Sequence, residues 1–384
     1  MNSRKLSAPA SVNAAEAQAD ASAAGLVYVS DRDPGISRLS QGQTFRYQSP
    51  VGKTVRDATT LARIRSLAVP PAYANVWICL RANGHLQATG HDARGRKQYR
   101  YHPNWSATRG LGKFGRVIAF GEALPRLRRR LRRDLALQGF PRDKVLAIVV
   151  AVMMETLIRV GNTSYARSNR SYGLTTLRNQ HVRFMKGGRA QLKFRGKGGI
   201  EHDIALDDAR LVKLMRSVQQ LPGQSLFQYL DDNGHAQPVG SSQINEYLRE
   251  AMGDAFTAKD FRTWGGTLAA FQKFAAIPLL AVMIEESGVS ESVRSEAQLN
   301  SLQKAVIDDV ARGLGNTPAI CRKAYIDPAI FAGWRDGSLQ KIAAGARGVR
   351  QWELAALKFL RAARRSSIAK RARSSQSRSR TVLG

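Results

Sequence analysis

The chain changes its hydrophobic rhythm once decisively, near residue 106. From Leu26 up to that point, short alternating stretches such as VYVSDRDPGISR, TFRYQ, VWICLRANGHLQATG and KQYRYH are separated by Pro, Gly and Asn. A period of two puts apolar side chains on one face of a strand, and the separating residues make turns. One helix, near Thr59 to Ser66, interrupts the strands before the Pro70-Pro71 turn. Beyond residue 106 the period lengthens. Leu124, Leu127, Leu131 and Leu135 recur at three- and four-residue steps, the stripe of an amphipathic helix. The pattern predicts further helices over 143–159, 208–219, 242–252, 264–285, 295–313 and 349–359. A β-rich island over 180–206, HVRFMKGGRAQLKFRGKGGIEHDIAL, reads as three strands joined by glycine turns.

The expected fold class is α+β: a small β-rich N-terminal domain over 25–105, then a larger, mainly α-helical domain over 106–348 with a small three-stranded β element. Residues 1–24 lack aromatics and regular apolar spacing and are expected to be a disordered arm. Residues 349–384 are expected to hold a helix followed by a basic, disordered tail, with Lys and Arg but no acid after residue 360.

Charge adds the first functional constraint. Against 29 Asp and Glu stand 60 Lys and Arg, a net +31 in 384 residues. A field of that sign attracts polyanions, and duplex DNA is the expected partner. Much of the charge is local: RLRRRLRR at 126–133 surrounds the leucine stripe with arginine, and like charges at helical spacing repel. Arg128 and Arg132 on that face are candidate phosphate contacts. Two cysteines, Cys79 and Cys321, form no CxxC, and six scattered histidines have no metal-ligand spacing, so no metal or other cofactor is expected. The strongest apolar run, Val145 to Met154, is about half the roughly 20 residues of a membrane span. A cytoplasmic, nucleoid-associated protein is the expectation.

Cutting DNA without metal requires a hydroxyl aimed at phosphorus, fixed cations on the non-bridging oxygens, and an acid for the departing oxygen. Arginine suits the second task because its planar fork matches phosphate. Lysine serves the third where its surroundings lower its pKa. Candidates stand in distinctive contexts: Arg159 in ETLIRVGNTSYA, Lys197 in the tight turn GKGG, Arg262 in KDFRTWGGT, and Asn316 and Tyr325 in GLGNTPAICRKAYIDP. Taken singly, each is as readily a helix-end cation, a turn residue or core packing.

Together and in this order, RVGN, FRGKGG, KDFRTWGGT and GNTPAICRKAYIDP resemble the catalytic segments of the type IB DNA topoisomerases, in particular their compact poxvirus-like and bacterial branch. DPGISR, LARIRSLAVPPAYANVWIC, GHDARGRKQYRYHP and SYGLTTLRNQHV extend the resemblance over about 25–335. It implies that Tyr325 attacks phosphorus and becomes joined to the 3′ end, that Arg159 and Arg262 hold the scissile phosphate, and that Lys197 protonates the leaving 5′ oxygen. Lys259 matches a further lysine near that proton path. Asn316 stands where many relatives have histidine; asparagine can donate to a phosphate oxygen but cannot carry a proton. The resemblance further implies a monomer that relaxes positive and negative supercoils without ATP, preferring supercoiled DNA, with the N-terminal domain as half of a clamp. In that domain Arg96, Lys97, Tyr99 and Tyr101 are the candidate DNA contacts, the two tyrosines sharing one strand face. Two rivals remain in view: a tyrosine recombinase with the same reactive set, and a basic protein that coats DNA without cutting it.

Overall fold

The computed structural model describes residues 11–42, 44–93, 95–253, 256–278, 280–285 and 288–381. The chain divides into two compact units, residues 1–113 and 114–384. In the first, α1 (Ser11–Ala23) precedes β1 (Gly35–Gln41), β2 (Thr44–Gln48), α2 (Ala58–Ser66), β3 (Ala74–Cys79), β4 (Leu86–His91) and β5 (Lys97–Tyr101). The strands form one antiparallel sheet in the order β2-β1-β3-β4-β5. Alternation buries Ile36, Val76, Ile78 and Ala88, and Ile64 of α2 closes over them. The expected β-rich N-terminal domain is therefore present.

The expected disordered arm is corrected in part. Residues 11–23 are helical, and Ala17 and Ala21 are buried with Leu26 and Trp105 in a small cluster. Alanine is the best helix former and gives such a face without large apolar side chains, so hydrophobic spacing did not reveal it. Residues 1–10 lie outside the described residues.

Helix α3 (Pro103–Leu135) begins in the first unit and continues into the second. There follow α4 (Arg142–Thr156), α5 (Thr163–Asn169), β6 (Val182–Met185), β7 (Arg189–Arg195), β8 (Glu201–Leu206) and α6 (Ala209–Gln219). Next come β9 (Gln228–Leu230), β10 (Ala236–Pro238), α7 (Ser241–Met252), α8 (Ala258–Ala275), β11 (Leu280–Glu285) and β12 (Gly288–Val293). The chain ends with α9 (Glu296–Leu314), α10 (Pro318–Ala324), α11 (Pro328–Arg335), α12 (Ser338–Ala343) and α13 (Gly348–Thr381).

Helix α4 is the centre of this second unit. Val145 to Val150, Val152 and Met153 are all buried, so the apolar run is a core helix covered on every side. Leu124, Leu127 and Leu131 of α3 point into the same core. The three-stranded element is β6-β7-β8, antiparallel throughout. Among the described residues, no helix is long and apolar enough to cross a membrane.

Two element expectations need correction. The helix expected over 264–285 ends at Ala275, and 280–285 pairs with 288–293 as a hairpin. Pro278 stops the helix, and the β-branched and apolar run after it suits a strand. The tail expected to be disordered is helical as far as Thr381, in keeping with its Ala and Arg content; residues 382–384 lie outside the described residues.

Candidate active site

Four chain segments converge on Tyr325, and glycines let them approach. Helix α4 stops at Leu157, a left-handed cap with φ of 52°. Arg159 follows just beyond it, its carbonyl accepting from the Leu174 amide at 2.9 Å. Helix α8 supplies Arg262 and, one turn later, Gly265 and Gly266. A Cβ on Gly265 would meet the Leu157 side chain at 2.5 Å, and one on Gly266 would meet the Tyr325 carbonyl oxygen at 2.8 Å. The two glycines of TWGGT are the slots into which the α4 cap and the tyrosine backbone fit.

Tyr325 itself ends the short helix α10. Thr317 caps that helix, Pro318 occupies its first turn, and the Tyr325 amide closes the last turn on the Cys321 carbonyl at 2.9 Å. From α8, the Thr267 hydroxyl donates to the Tyr325 carbonyl at 3.1 Å and accepts from the Asp327 amide at 3.1 Å. The nucleophile candidate thus stands at a helix terminus, with its main chain pinned on both sides.

The side chains then assemble. Arg159 donates to the Gly315 carbonyl at 3.3 Å and to the Asn316 side-chain oxygen. Arg262 is buried, donating to the Leu157 carbonyl and, at 2.6 Å, to the Leu314 carbonyl. Its guanidinium lies over the Tyr325 ring, 5.1 Å from the centroid. Burial alone would raise the Tyr325 phenol, but the charge and hydrogen bond of Arg262, with further help from Arg159 and Lys259, hold its pKa below the ordinary 10.0. Two buried donors, Arg262 Nε and Asn316 Nδ2, have no hydrogen-bond partner. Buried donors are seldom left so, and a phosphate is the kind of acceptor they fit.

The profile for the catalytic core of eukaryotic DNA topoisomerase I matches residues 102–332, and that for the bacterial DNA topoisomerase IB N-terminal domain matches residues 44–92. The DNA topoisomerase 1B of Acanthamoeba polyphaga mimivirus is 31% identical over 296 residues, which is 76% of this chain and 85% of that protein. The chain belongs to the type IB DNA topoisomerases. The DNA topoisomerase 1B of vaccinia virus (strain Copenhagen) is 24% identical over 250 residues, covering 63% of this chain and 70% of the viral protein. As a member of this family the chain is an isomerase acting on DNA.

Within this topoisomerase, the structure brings Arg159, Arg262, Asn316 and Tyr325 together, with Lys259 close enough to act on the phenol by its charge. Lys197 is not brought into contact. It stands exposed in the turn between β7 and β8 and makes no hydrogen bond or ion pair among the described residues. Sequence reading missed His202, on the neighbouring strand. Burial and then the charges of Arg159 and Arg262 lower its pKa below the ordinary 6.5, so near neutral pH it is uncharged.

The arginine run of α3 is mostly exposed, but three of its members are tied to carboxylates. Arg128 makes a two-pronged pair with Glu353 of α13, at 2.8 and 2.6 Å. Arg130 and Arg133 both bond Asp134, a buried carboxylate that also accepts from Tyr247 at 2.8 Å. The candidate phosphate contact Arg128 therefore has its fork on a carboxylate in this structure. Arg132 stays exposed. In the N-terminal unit Arg96 pairs with Asp92 at 2.7 Å and Lys97 with Asp31, so neither cation is held out for an outside ligand in this structure. Tyr99 and Tyr101 do share a face: their rings stack with centroids 6.0 Å apart, and at 48% and 44% exposure they are not sheet packing.

Proposed function

We propose that this topoisomerase relaxes positive and negative supercoils by transient cleavage of one strand through Tyr325. The phenolate oxygen forms a bond to phosphorus while the bond from phosphorus to the 5′ oxygen breaks. That oxygen takes a proton from Lys197, and the strand's 3′ end stays joined to the tyrosine. Arg159, Arg262 and Asn316 bind the non-bridging oxygens, fixed charge and donors placed before the charge develops. Because one phosphodiester is exchanged for another, the free 5′ hydroxyl reverses the step after the strand has rotated. No ATP or metal is consumed. The observation that carries this reading is the Arg262 guanidinium over the Tyr325 ring, beside the Arg159–Asn316 contact, with the donors Arg262 Nε and Asn316 Nδ2 unfilled.

Lys197 would reach the phosphate by swinging its exposed, unbonded side chain from the turn, and Lys259 would support the same proton path. Duplex DNA, preferably supercoiled, is the substrate, bound by a monomer at the nucleoid. The exposed Tyr99–Tyr101 pair supports a gripping role for the N-terminal unit, with Arg96 and Lys97 joining if their acid partners are exchanged for phosphate.

The test is relaxation of supercoiled plasmid in EDTA without ATP, comparing the native chain with Tyr325→Phe. The native chain should relax both signs of supercoil and the variant neither. Native protein that retards the plasmid without changing its linking number would instead mark a DNA-coating protein.

A further inference from the structure

His202 has surroundings that no role so far described explains. It lies on β8 opposite Phe194 of β7, its ring stacked on the phenylalanine with centroids 4.8 Å apart and planes 12° from parallel. The imidazole also fills the space over two glycines from distant segments. A Cβ on Gly196, the residue before Lys197, would come within 2.5 Å of His202 Nε2. A Cβ on Gly315, the residue before Asn316, would likewise fall under the 3.0 Å that real contacts respect. One flat ring is therefore wedged between the turn that bears Lys197 and the segment that bears Asn316.

Both sides of the wedge are stiff. The turn closes on itself, with the Gly196 amide donating to Ile200 at 2.7 Å and the Gly199 amide to Gly196 at 3.1 Å. Gly315 is the left-handed cap of α9, and its carbonyl accepts from Arg159. The lysine side chain makes no bond that would place it. Its position follows from the turn's backbone, tied by the Tyr172 amide to Arg195 at 2.8 Å and seated on Gly315 by His202.

We infer that His202 is a positioning residue, seating the Lys197 turn against the Gly315–Asn316 segment so that the lysine meets the phosphate in register with Arg159 and Asn316. The inference rests on the reading of Lys197 as the acid and Tyr325 as the nucleophile.

The experiment is single-turnover cleavage of a duplex at a position that the full-length native chain cleaves, using His202→Ala, Lys197→Ala and the double variant. General acids contribute about 10²–10⁴-fold, so Lys197→Ala should lose on that order and His202→Ala about tenfold to a hundredfold. The double variant should be no slower than Lys197→Ala, because a residue acting through another adds nothing once the other is gone. A duplex with sulfur in place of the bridging 5′ oxygen should restore His202→Ala to nearly the native rate, since a thiolate leaves without a proton. His202→Phe keeps a flat ring on Phe194 and should stay within about threefold of native. If His202→Ala does not fold, Gly196→Ala, which drives a methyl group into the imidazole, should slow the native background and leave Lys197→Ala unchanged.

Additive losses in the double variant, a defect that persists on the sulfur substrate, or His202→Phe as slow as His202→Ala would each overturn the inference. The underlying reading fails separately: Tyr325→Phe would still cleave, or Lys197→Ala would cleave at the native rate, whatever His202 does.

Discussion

Gly266 shows how narrowly a single atom can be excluded near Tyr325. An added methyl would sit 2.8 Å from the Tyr325 carbonyl oxygen and 3.1 Å from its Cβ, both fixed by main-chain bonds. Neither neighbour is the flexible end of a side chain. Gly266→Ala should therefore cost about 1–3 kcal/mol from overpacking and lower plasmid relaxation at least about tenfold by displacing the phenol. Gly313→Ala, in α9, is the control: nothing lies within 4 Å of its Cβ, so melting temperature and relaxation should hold or rise slightly. Equal damage from both would mean that helical glycine content, and not the contact with Tyr325, decides the outcome. At this scale Arg159, Arg262, Asn316 and Tyr325 were legible because each sits in a motif whose neighbours have their own reasons to be there. The pairing of Arg128 was not legible because Glu353 is 225 residues away, and a run of arginines says nothing about carboxylates across space. His202 was invisible for the same reason: what distinguishes it is contact with glycines at 196 and 315.

Among the elements, α13 does more than its composition suggested. Besides the Arg128–Glu353 pair, Arg361 holds Glu122 of α3, and Arg364 reaches the buried carboxylate of Asp327, two residues after Tyr325. Asp327 caps α11 through the Ala329 amide at 2.9 Å and shares Thr267 with the tyrosine carbonyl. Residues read as the start of a disordered tail thus continue the helix and brace the tyrosine turn. Arg364→Ala should cost about 2 kcal/mol, less than the roughly 3–5 kcal/mol of a fully buried pair because the arginine is partly exposed. Relaxation should fall about tenfold as the turn loosens.

The pH dependence of that variant has a definite sign. Burial raises the Asp327 carboxyl above 3.8, and Arg364 opposes the rise. A carboxyl with a raised folded value binds more protons folded than unfolded, so ionising it costs stability as pH climbs from 3.8 through that value. Removing Arg364 raises it further and widens the window. The deficit in melting temperature against native protein should be largest near neutral pH and narrow as pH is lowered, vanishing in its electrostatic part below 3.8. A deficit independent of pH would show that lost packing, not charge, carries the effect. Most elements followed from period and punctuation, as in the leucine stripe of α3. The hairpin after Ala275 was lost because LLAVMIEE reads equally as helix or strand, and only Pro278 marked the change.

For the whole molecule, the two units and their order were legible from the shift in period, while their border was not. The border between the units falls after Lys113 and not after residue 105, and Trp105 of α3 packs with Ala17, Ala21 and Leu26 of the first unit. Net charge was legible at once, but not how it is spent. Of the 60 Lys and Arg, those already facing carboxylates cannot release counterions from DNA without first giving up those partners. Binding should thus depend on salt less steeply than the arginine count suggests, with each phosphate neutralised adding about 0.9 to the slope of log affinity against log salt. Measured in the Tyr325→Phe background, so that cleavage does not intervene, Arg132→Ala should reduce the slope by about one unit. Arg128→Ala should leave the slope unchanged and lower the melting temperature, since it leaves Glu353, at 6% side-chain exposure, with the more distant Arg350 at 3.9 Å. A slope reduced by Arg128→Ala as well would show that DNA pulls this arginine off its carboxylate, and the brace between α3 and α13 would then open on binding.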